Sequence, residues 1–343
     1  MLTKPRIRQF DIAREAEVSV ATVDRVLNAR PGVNVHTARR IRDAVARLES
    51  RRDRAAVGRP DRLGFDFILP GGPNTFMAML ADAIRADGEA YADDGVSLRC
   101  HRIEGFNPEI LARSIRDIGR RSGGLAVVAL ENPIVREAVN DVTDLGVPVV
   151  TLVSSLSTPK TAGHVGLDNR AAGRTAGYLM GRFVRAATGT VAILEGSLAL
   201  SYRDHQEREL GFRDALKEHA PGLDVVGRWE TQDNFEESYR QAKEMLDGHP
   251  DLLGLYSIGS GVRGIAHALT ERGIAREVVF IGHDLTRYTR QFLIDGTVDA
   301  IIHQDPEGQA RLAVETLLGH YDGTARKPPD LLNVEVFFRE NLP

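Results

Sequence analysis

The chain has 343 residues, 42% hydrophobic and 27% charged, which suits two or three soluble domains rather than one ordinary core. Its one cysteine, Cys100, excludes an internal disulfide and any cysteine metal cluster and fits a reducing cytoplasm. The net charge of −4 conceals an asymmetry: residues 1–60 hold 14 Lys and Arg against 7 Asp and Glu, so the rest of the chain carries the acid. A basic head on an acidic body is the layout expected when only the head meets phosphate.

The first ten residues contain basic side chains but no apolar run, so no secretion signal is expected. No apolar run approaches 18 residues, so no membrane span is expected either, and the expected location is the cytoplasm. Residues 10–28 read as two short helices joined by a tight turn at Glu17-Val18-Ser19. Ile12, Ala13 and Ala16 supply an inner face, Ser19 is placed to cap the second helix, and Thr22, Val23, Val26 and Leu27 repeat at helical spacing. A third amphipathic helix follows, with Ala38, Ile41, Ala44, Val45 and Leu48 on one side. Three helices in under 50 residues, the second polar and basic on its outer face, describe a helix-turn-helix DNA reader. A small helical bundle of no special purpose is the plainer alternative.

Residue identities favour the reader. Ile12-Ala13, Val18-Ser19, Thr22-Val23, Arg25-Val26-Leu27-Asn28, Gly32-Val33 and Thr37 closely resemble the N-terminal signature of the lactose-repressor (LacI/GalR) family. The resemblance implies that Val20 and Ala21, which open the second helix, choose operator bases. Both are small and apolar, so a thymine methyl is the natural contact. Arg25 can reach a guanine or a phosphate, and Ser19, Thr22, Asn28 and His36 are phosphate candidates. Asp24 repels phosphate unless it pairs with Arg25 or accepts from a cytosine amine. Glu17 stands where the family usually has Gly, which implies a positive φ costing on the order of 1 kcal/mol. Residues 51–61, polar, basic and closed by Gly58 and Pro60, read as a linker. The family's hinge usually carries a Pro-Asn pair and then a wedging Leu; here Arg52-Asp53 and Arg59 stand instead, and no apolar wedge into the minor groove is evident.

From Leu63 onward short apolar strands alternate with helices. Strands are expected at 63–69, 96–102, 124–130, 147–153 and 164–167, with helices at 76–87, 108–120, 133–145 and 169–185 between and after them. A second series expects strands at 189–194, 224–229, 253–257, 278–282 and 300–304, with helices at 203–220, 235–247, 261–272 and 286–295. A helix at 307–319 and a strand at 332–338 close the chain. Repeated βα units imply parallel sheets covered by helices, and two series imply two similar doubly wound subdomains. The expected organisation is an all-α helix-turn-helix head at 1–50, a linker at 51–61 and an α/β effector-binding core at 62–343. Within the core, the first subdomain is expected at 62–187 and 307–331 and the second at 188–304 and 332–343. The core resembles the same family and the sugar-binding periplasmic proteins of related fold, through Val165-Gly166-Leu167-Asp168-Asn169, Arg208-Glu209-Leu210-Gly211-Phe212, Gly282-His283-Asp284 and His303-Gln304.

In open α/β sheets ligands bind beyond the C-terminal strand ends, so two facing sheets make a cleft. Polyols need carboxylates, Arg and amides for their hydroxyls and aromatic faces for their C–H side. The strand ends offer Asn74 to bond a hydroxyl, Phe76 to stack, Ser154, Asp168, Arg203, Asp284 and Gln304. The resemblance implies effector contact by Asp168, Arg208, Asp284 and Gln304; capping is the alternative for Asp168. The loop 258–262 offers Ser260 and backbone donors but no amide or carboxylate where related sites often have one. No phosphate-cradling Gly loop, GxSxG elbow or metal-spaced His pair is present, so no catalytic residue, metal or cofactor is expected. The function expected is an effector-controlled transcriptional regulator, a repressor acting as a homodimer on a near-palindromic operator. Its effector would be a sugar or polyol. A sugar-binding protein or an α/β enzyme without DNA function are the rivals.

Overall fold

The computed structural model describes residues 7–28, 30–56, 62–158, 160–196, 202–323 and 331–343. Three helices form the head: α1 (Gln9–Glu15), α2 (Val20–Leu27) and α3 (Val35–Ala56). Ile12, Ala13, Ala16, Val23, Ile41 and Ala44 make its small core. The helix α3 runs through Ala56, so residues 51–56, read from sequence as linker, are helical. Residues 57–61, with Arg59, lie outside the described residues.

The first α/β series contains β1 (Leu63–Pro70), α4 (Thr75–Tyr91), β2 (Val96–Ile103), α5 (Pro108–Gly119), β3 (Gly124–Val127), α6 (Pro133–Asp144), β4 (Val149–Leu152) and β5 (Gly163–Val165). Its five parallel strands are ordered β2-β1-β3-β4-β5. The second series contains α7 (Asn169–Phe183), β6 (Gly189–Glu195), α8 (Arg203–His219), β7 (Leu223–Glu230), α9 (Phe235–Gly248), β8 (Leu252–Ser257), α10 (Val262–Arg272), β9 (Val279–His283), α11 (Arg287–Asp295) and β10 (Ala300–His303). Then come α12 (Pro306–Tyr321) and β11 (Glu335–Phe337), and the second sheet is ordered β11-β10-β9-β8-β6-β7. The expected strands and helices of the core are all present, with ends shifted by at most four residues.

Two features differ from the sequence expectation. The closing strand β11 runs antiparallel to β10, at the edge of an otherwise parallel sheet. And α7 belongs to the second lobe, not the first: Ala172, Ala176 and Met180 pack with Val191, Ile193, Phe212 and Ile281. The chain therefore first changes lobes at 166–168 and not near 187. It returns at 304–306, where α12 inserts Ala310, Ala313, Val314 and Leu317 against Phe65 and Leu80 of the first lobe. The Tyr321 hydroxyl donates to the Gly123 carbonyl at the far end of that helix. The last described return is marked by Leu332, whose N–H donates 3.0 Å to the Gly166 carbonyl, beside the first crossing. Each sheet is buried on both faces, as parallel strands require.

Candidate functional site

In the head, Ser19 adopts extended backbone and its Oγ accepts from the Thr22 N–H at 3.2 Å, capping α2. Glu17 takes φ +50°, the strained turn that the sequence implies. Val23 is buried, while Val20, Ala21, Arg25 and Asn28 face solvent, and His36 is exposed at the start of α3. The second helix thus keeps one side in the head core and presents the other. Asp24 is neutralised by Arg30 (3.1 Å) rather than by Arg25. Both amide protons of Asn28 go to Asp24, one to the carbonyl (3.0 Å) and one to the carboxylate (2.7 Å), so a phosphate would have to compete with Asp24 for them. Ser19 and Thr22 share a hydroxyl bond of 2.8 Å, which leaves Arg25 and His36 as the freer donors.

Between the lobes lies a cavity of about 370 Å³, walled by Asn74, Met77, Phe106 and Val153 from the first lobe and by Tyr202, Asp204, His205, Glu230 and Asp233 from the second. A smaller cavity of about 150 Å³ adjoins it through Asp233 and is lined by Phe76, Ser260, Arg263, Asp284 and Tyr288. The strand ends that build these walls carry backbone strain. Val153, Gln232, Asp233 and Asp284 all have positive φ, between 50° and 68°, a region costly for side chains and above all for a β-branched one.

Beneath the cavities runs a buried polar chain. Arg208, 2% exposed, donates from Nε to Asn169 Oδ1 (2.8 Å), from Nη1 to the Ile258 carbonyl (2.9 Å) and from Nη2 to Gln304 Oε1 (2.5 Å). The Gln304 amide nitrogen in turn donates to both Asp284 carboxylate oxygens, at 3.0 and 3.1 Å. Burial pushes the Asp284 carboxyl up to about 7, against the pull of Arg208 and the Gln304 amide. Burial also pushes Asp204 up, but His205, Arg208 and the Ser154 hydroxyl bring it below its ordinary value. His283, fully enclosed with its Nε2 at 2.8 Å from the Tyr256 hydroxyl, is driven down by burial and the nearby Arg208.

The sequence candidates divide accordingly. Asn74 caps α4 through Met77 N–H (3.1 Å) and its amide donates across the cleft to Asp233 (2.8 Å), joining the two lobes. Phe76 and Asp284 line the smaller cavity. Arg208 and Gln304 lie one layer below. Ser154 is buried, accepting from Arg203 N–H at 3.2 Å, and supports Asp204 rather than lining the space. Two candidates are corrected. Asp168 is exposed and caps α7 through Ala171 N–H (2.9 Å), while Asn169 takes the inner place. Arg203 turns its guanidinium to Ser157 (3.0 Å), away from the cavity lining.

Asp204, His205 and Asp233 are not among the sequence candidates. Asp233 follows a strand end like the others, and the same strand-end rule applied after β7 would have found it. It also supplies the carboxylate that loop 258–262 lacks, since the Ser260 N–H donates to it at 2.9 Å. Gly196 and Gly259 leave the room: a Cβ at either would lie 2.6 or 3.1 Å from Asp233 Oδ1. Asp204 and His205 lie one helical turn before Arg208 on the same helix.

Two facing α/β lobes with a polar cleft, behind a three-helix head, define a ligand-binding core joined to a helix-turn-helix module. The family of periplasmic binding protein domains matches residues 65–325, and the family of bacterial regulatory proteins of the lacI type matches residues 10–52. The chain belongs to the periplasmic binding protein domain family and carries a LacI-family DNA-binding domain, which makes it a DNA-binding transcriptional regulator. It is 25% identical over 285 residues to catabolite control protein A of Priestia megaterium, covering 81% of this chain and 82% of that one. It is 23% identical over 246 residues to the ribose import binding protein RbsB of Escherichia coli (strain K12), covering 71% and 79%. Among solved structures, a putative LacI transcriptional regulator from Bacteroides fragilis superposes with a TM-score of 0.73 at 19% identity, covering 82% of this chain and 98% of that one. A solute binding protein from Burkholderia graminis in complex with D-arabinose superposes at 0.72 and 24%, with the same coverage. No helix among the described residues is long and apolar enough to cross a membrane.

Proposed function

We propose that this regulator is a cytoplasmic repressor, without enzymatic activity, that binds a near-palindromic operator as a homodimer and responds to a sugar or polyol held between its lobes. The observation that carries the reading is the polar cavity shared by both lobes and bridged by the Asn74–Asp233 hydrogen bond. A ligand there touches both walls at once, so it favours one lobe arrangement over another by its differential affinity. Sugar recognition draws support from the relatives, whose names include a ribose import binding protein and a D-arabinose complex. Lobe movement alters the spacing of the two heads, which couples cleft occupancy to operator affinity.

The test is operator selection from random duplexes with the full chain, then anisotropy titration with and without pentoses, hexoses and cyclitols. A selected duplex should bind with a steep salt dependence, and one ligand class should change its affinity by roughly tenfold or more. Deleting residues 1–58 should abolish DNA binding and spare ligand binding. Indifference to duplex DNA at low salt would overturn the regulator; an unchanged affinity with every ligand would overturn the sugar.

A further inference from the structure

We infer that the cleft selects an aminated sugar or polyol, its ammonium group received by Asp204 and Asp233 beside the rings of Tyr202 and Phe106. This rests on the cleft being the effector site.

The charge of the main cavity is one-sided. Asp204 and Asp233 reach it from two separate places in the second lobe, and no Lys or Arg is among the described residues that line it. The carboxylates outnumber cations even when His205 is counted as charged. The Arg208 guanidinium stands 3.9 Å from Asp204 Oδ2, and three of its five N–H donors go to Asn169, Ile258 and Gln304. Arg208 also faces Asp284, so one cation serves two buried carboxylates.

The walls also hold buried polar atoms without partners. Asp204 is 5% exposed and its Oδ1 has no hydrogen-bond partner; His205, 9% exposed, has none at Nδ1. A buried carboxylate oxygen left without a donor is unfavourable, and a ligand that supplies one gains accordingly. A hydroxyl could satisfy one such atom. It brings no charge to set against Asp204 and Asp233. A compact ammonium brings three donors and the compensating charge together. Tyr202 and Phe106 line the same space, and aromatic rings attract cations. The Tyr202 phenol is pushed up first by burial and then by Asp233 and Asp204, which report the same negative field. A uronate or a phosphorylated sugar would add to the repulsion.

The experiment is calorimetric binding of D-glucosamine, D-glucose, N-acetyl-D-glucosamine and D-glucuronate to the full chain at neutral pH and moderate salt. Glucosamine should bind at least about tenfold more tightly than glucose, and glucuronate more weakly than either. Acetylation removes the charge and should remove the preference. In Asp204→Asn the ratio of glucosamine to glucose affinity should fall by several fold. If that variant fails to fold, Asp233→Asn reports the same ratio. Glucose or glucuronate binding as tightly as glucosamine overturns the inference and leaves the effector reading standing. No binding by any of the four likewise overturns the inference, while the sugar reading is decided by the wider panel of pentoses, hexoses and cyclitols.

Discussion

The helices α7 and α8 cross so closely that glycine is required, and this can be turned into a prediction with a definite sign. A Cβ built on Gly173 lies 2.7 Å from both the Cα and the carbonyl carbon of Arg208, with the carbonyl oxygen nearer still. Ordinary contact begins at 3.4 Å and the carbonyl oxygen lies at 2.0 Å, so Gly173→Ala must force the helices apart by about 1.4 Å against backbone, which has no alternative rotamer. The bond from Arg208 Nε to Asn169 Oδ1 joins the same two helices at 2.8 Å; the separation would stretch it to about 4.2 Å, beyond hydrogen-bonding range. Overpacking of this kind typically costs about 1–3 kcal/mol, and loss of a buried charge-assisted bond adds about 1.5–3 kcal/mol. Helix propensity works the other way, favouring Ala by at most about 1 kcal/mol. The net loss is on the order of 2–4 kcal/mol, or roughly 5–15 °C in Tm for lobes of this size. Gly88→Ala in α4 is the matched control. Its Cβ would sit 3.6 Å from Leu98 Cβ, an ordinary contact, so propensity decides and Tm should hold or rise. Scanning calorimetry of the two variants beside the parent checks both. A Gly173→Ala protein as stable as the parent would mean that the crossing has slack, and that Arg208 is not held by helix packing.

Asp284 and Glu195 each have a carboxyl pushed up to about 7 by burial. Both bind a proton more tightly folded than unfolded, so their contribution to stability is full at low pH and is lost as pH rises toward and through 7. Asp284→Asn should flatten the decline in urea midpoint between pH 5 and 8; an unchanged slope would show that Asp284 does not titrate there. Asn74→Ser keeps a capping oxygen for Met77 but cannot reach Asp233. It should shift ligand-free lobes toward a more open arrangement, read as a larger radius of gyration by X-ray scattering, and an unchanged radius would discount the bridge. Glu17→Gly should stabilise the head by about 1 kcal/mol by relieving φ +50°. Its surface pair with Arg40 at 3.5 Å offsets little of that, and a lower melting point would refute the strain. Asp24→Asn removes an anion from the exposed face and frees Arg30, so duplex affinity should rise at moderate salt; weaker binding in an anisotropy titration would place Asp24 in base contact.

Local signals made much of this molecule legible. Ser19 as a cap, the positive φ of Glu17, and the alternation of apolar strands with amphipathic helices each depend on neighbours in sequence. What required the folded chain was the identity of partners. The apolar stripe of α7 announces a buried face but not which sheet covers it, so the first crossing was invisible at 166–168. Asp168 and Asn169 are adjacent and both polar; only the direction of α7 decides that the first caps and the second meets Arg208. Asn28 shows the same limit, because its amide protons are taken by Asp24 four residues away. Arg203, Asp204 and His205 open one helix turn, and its orientation alone turns the arginine out to Ser157 and the other two into the cleft.

The buried chain of Asn169, Arg208, Gln304 and Asp284 begins just after one lobe-to-lobe passage and includes the residue just before another. Those are two of the three passages that join the halves, the third lying beside the first at Leu332. On the proposed reading, a ligand that touches Asp284 meets a chain of hydrogen bonds that leads through Gln304 and Arg208 to both of those passages.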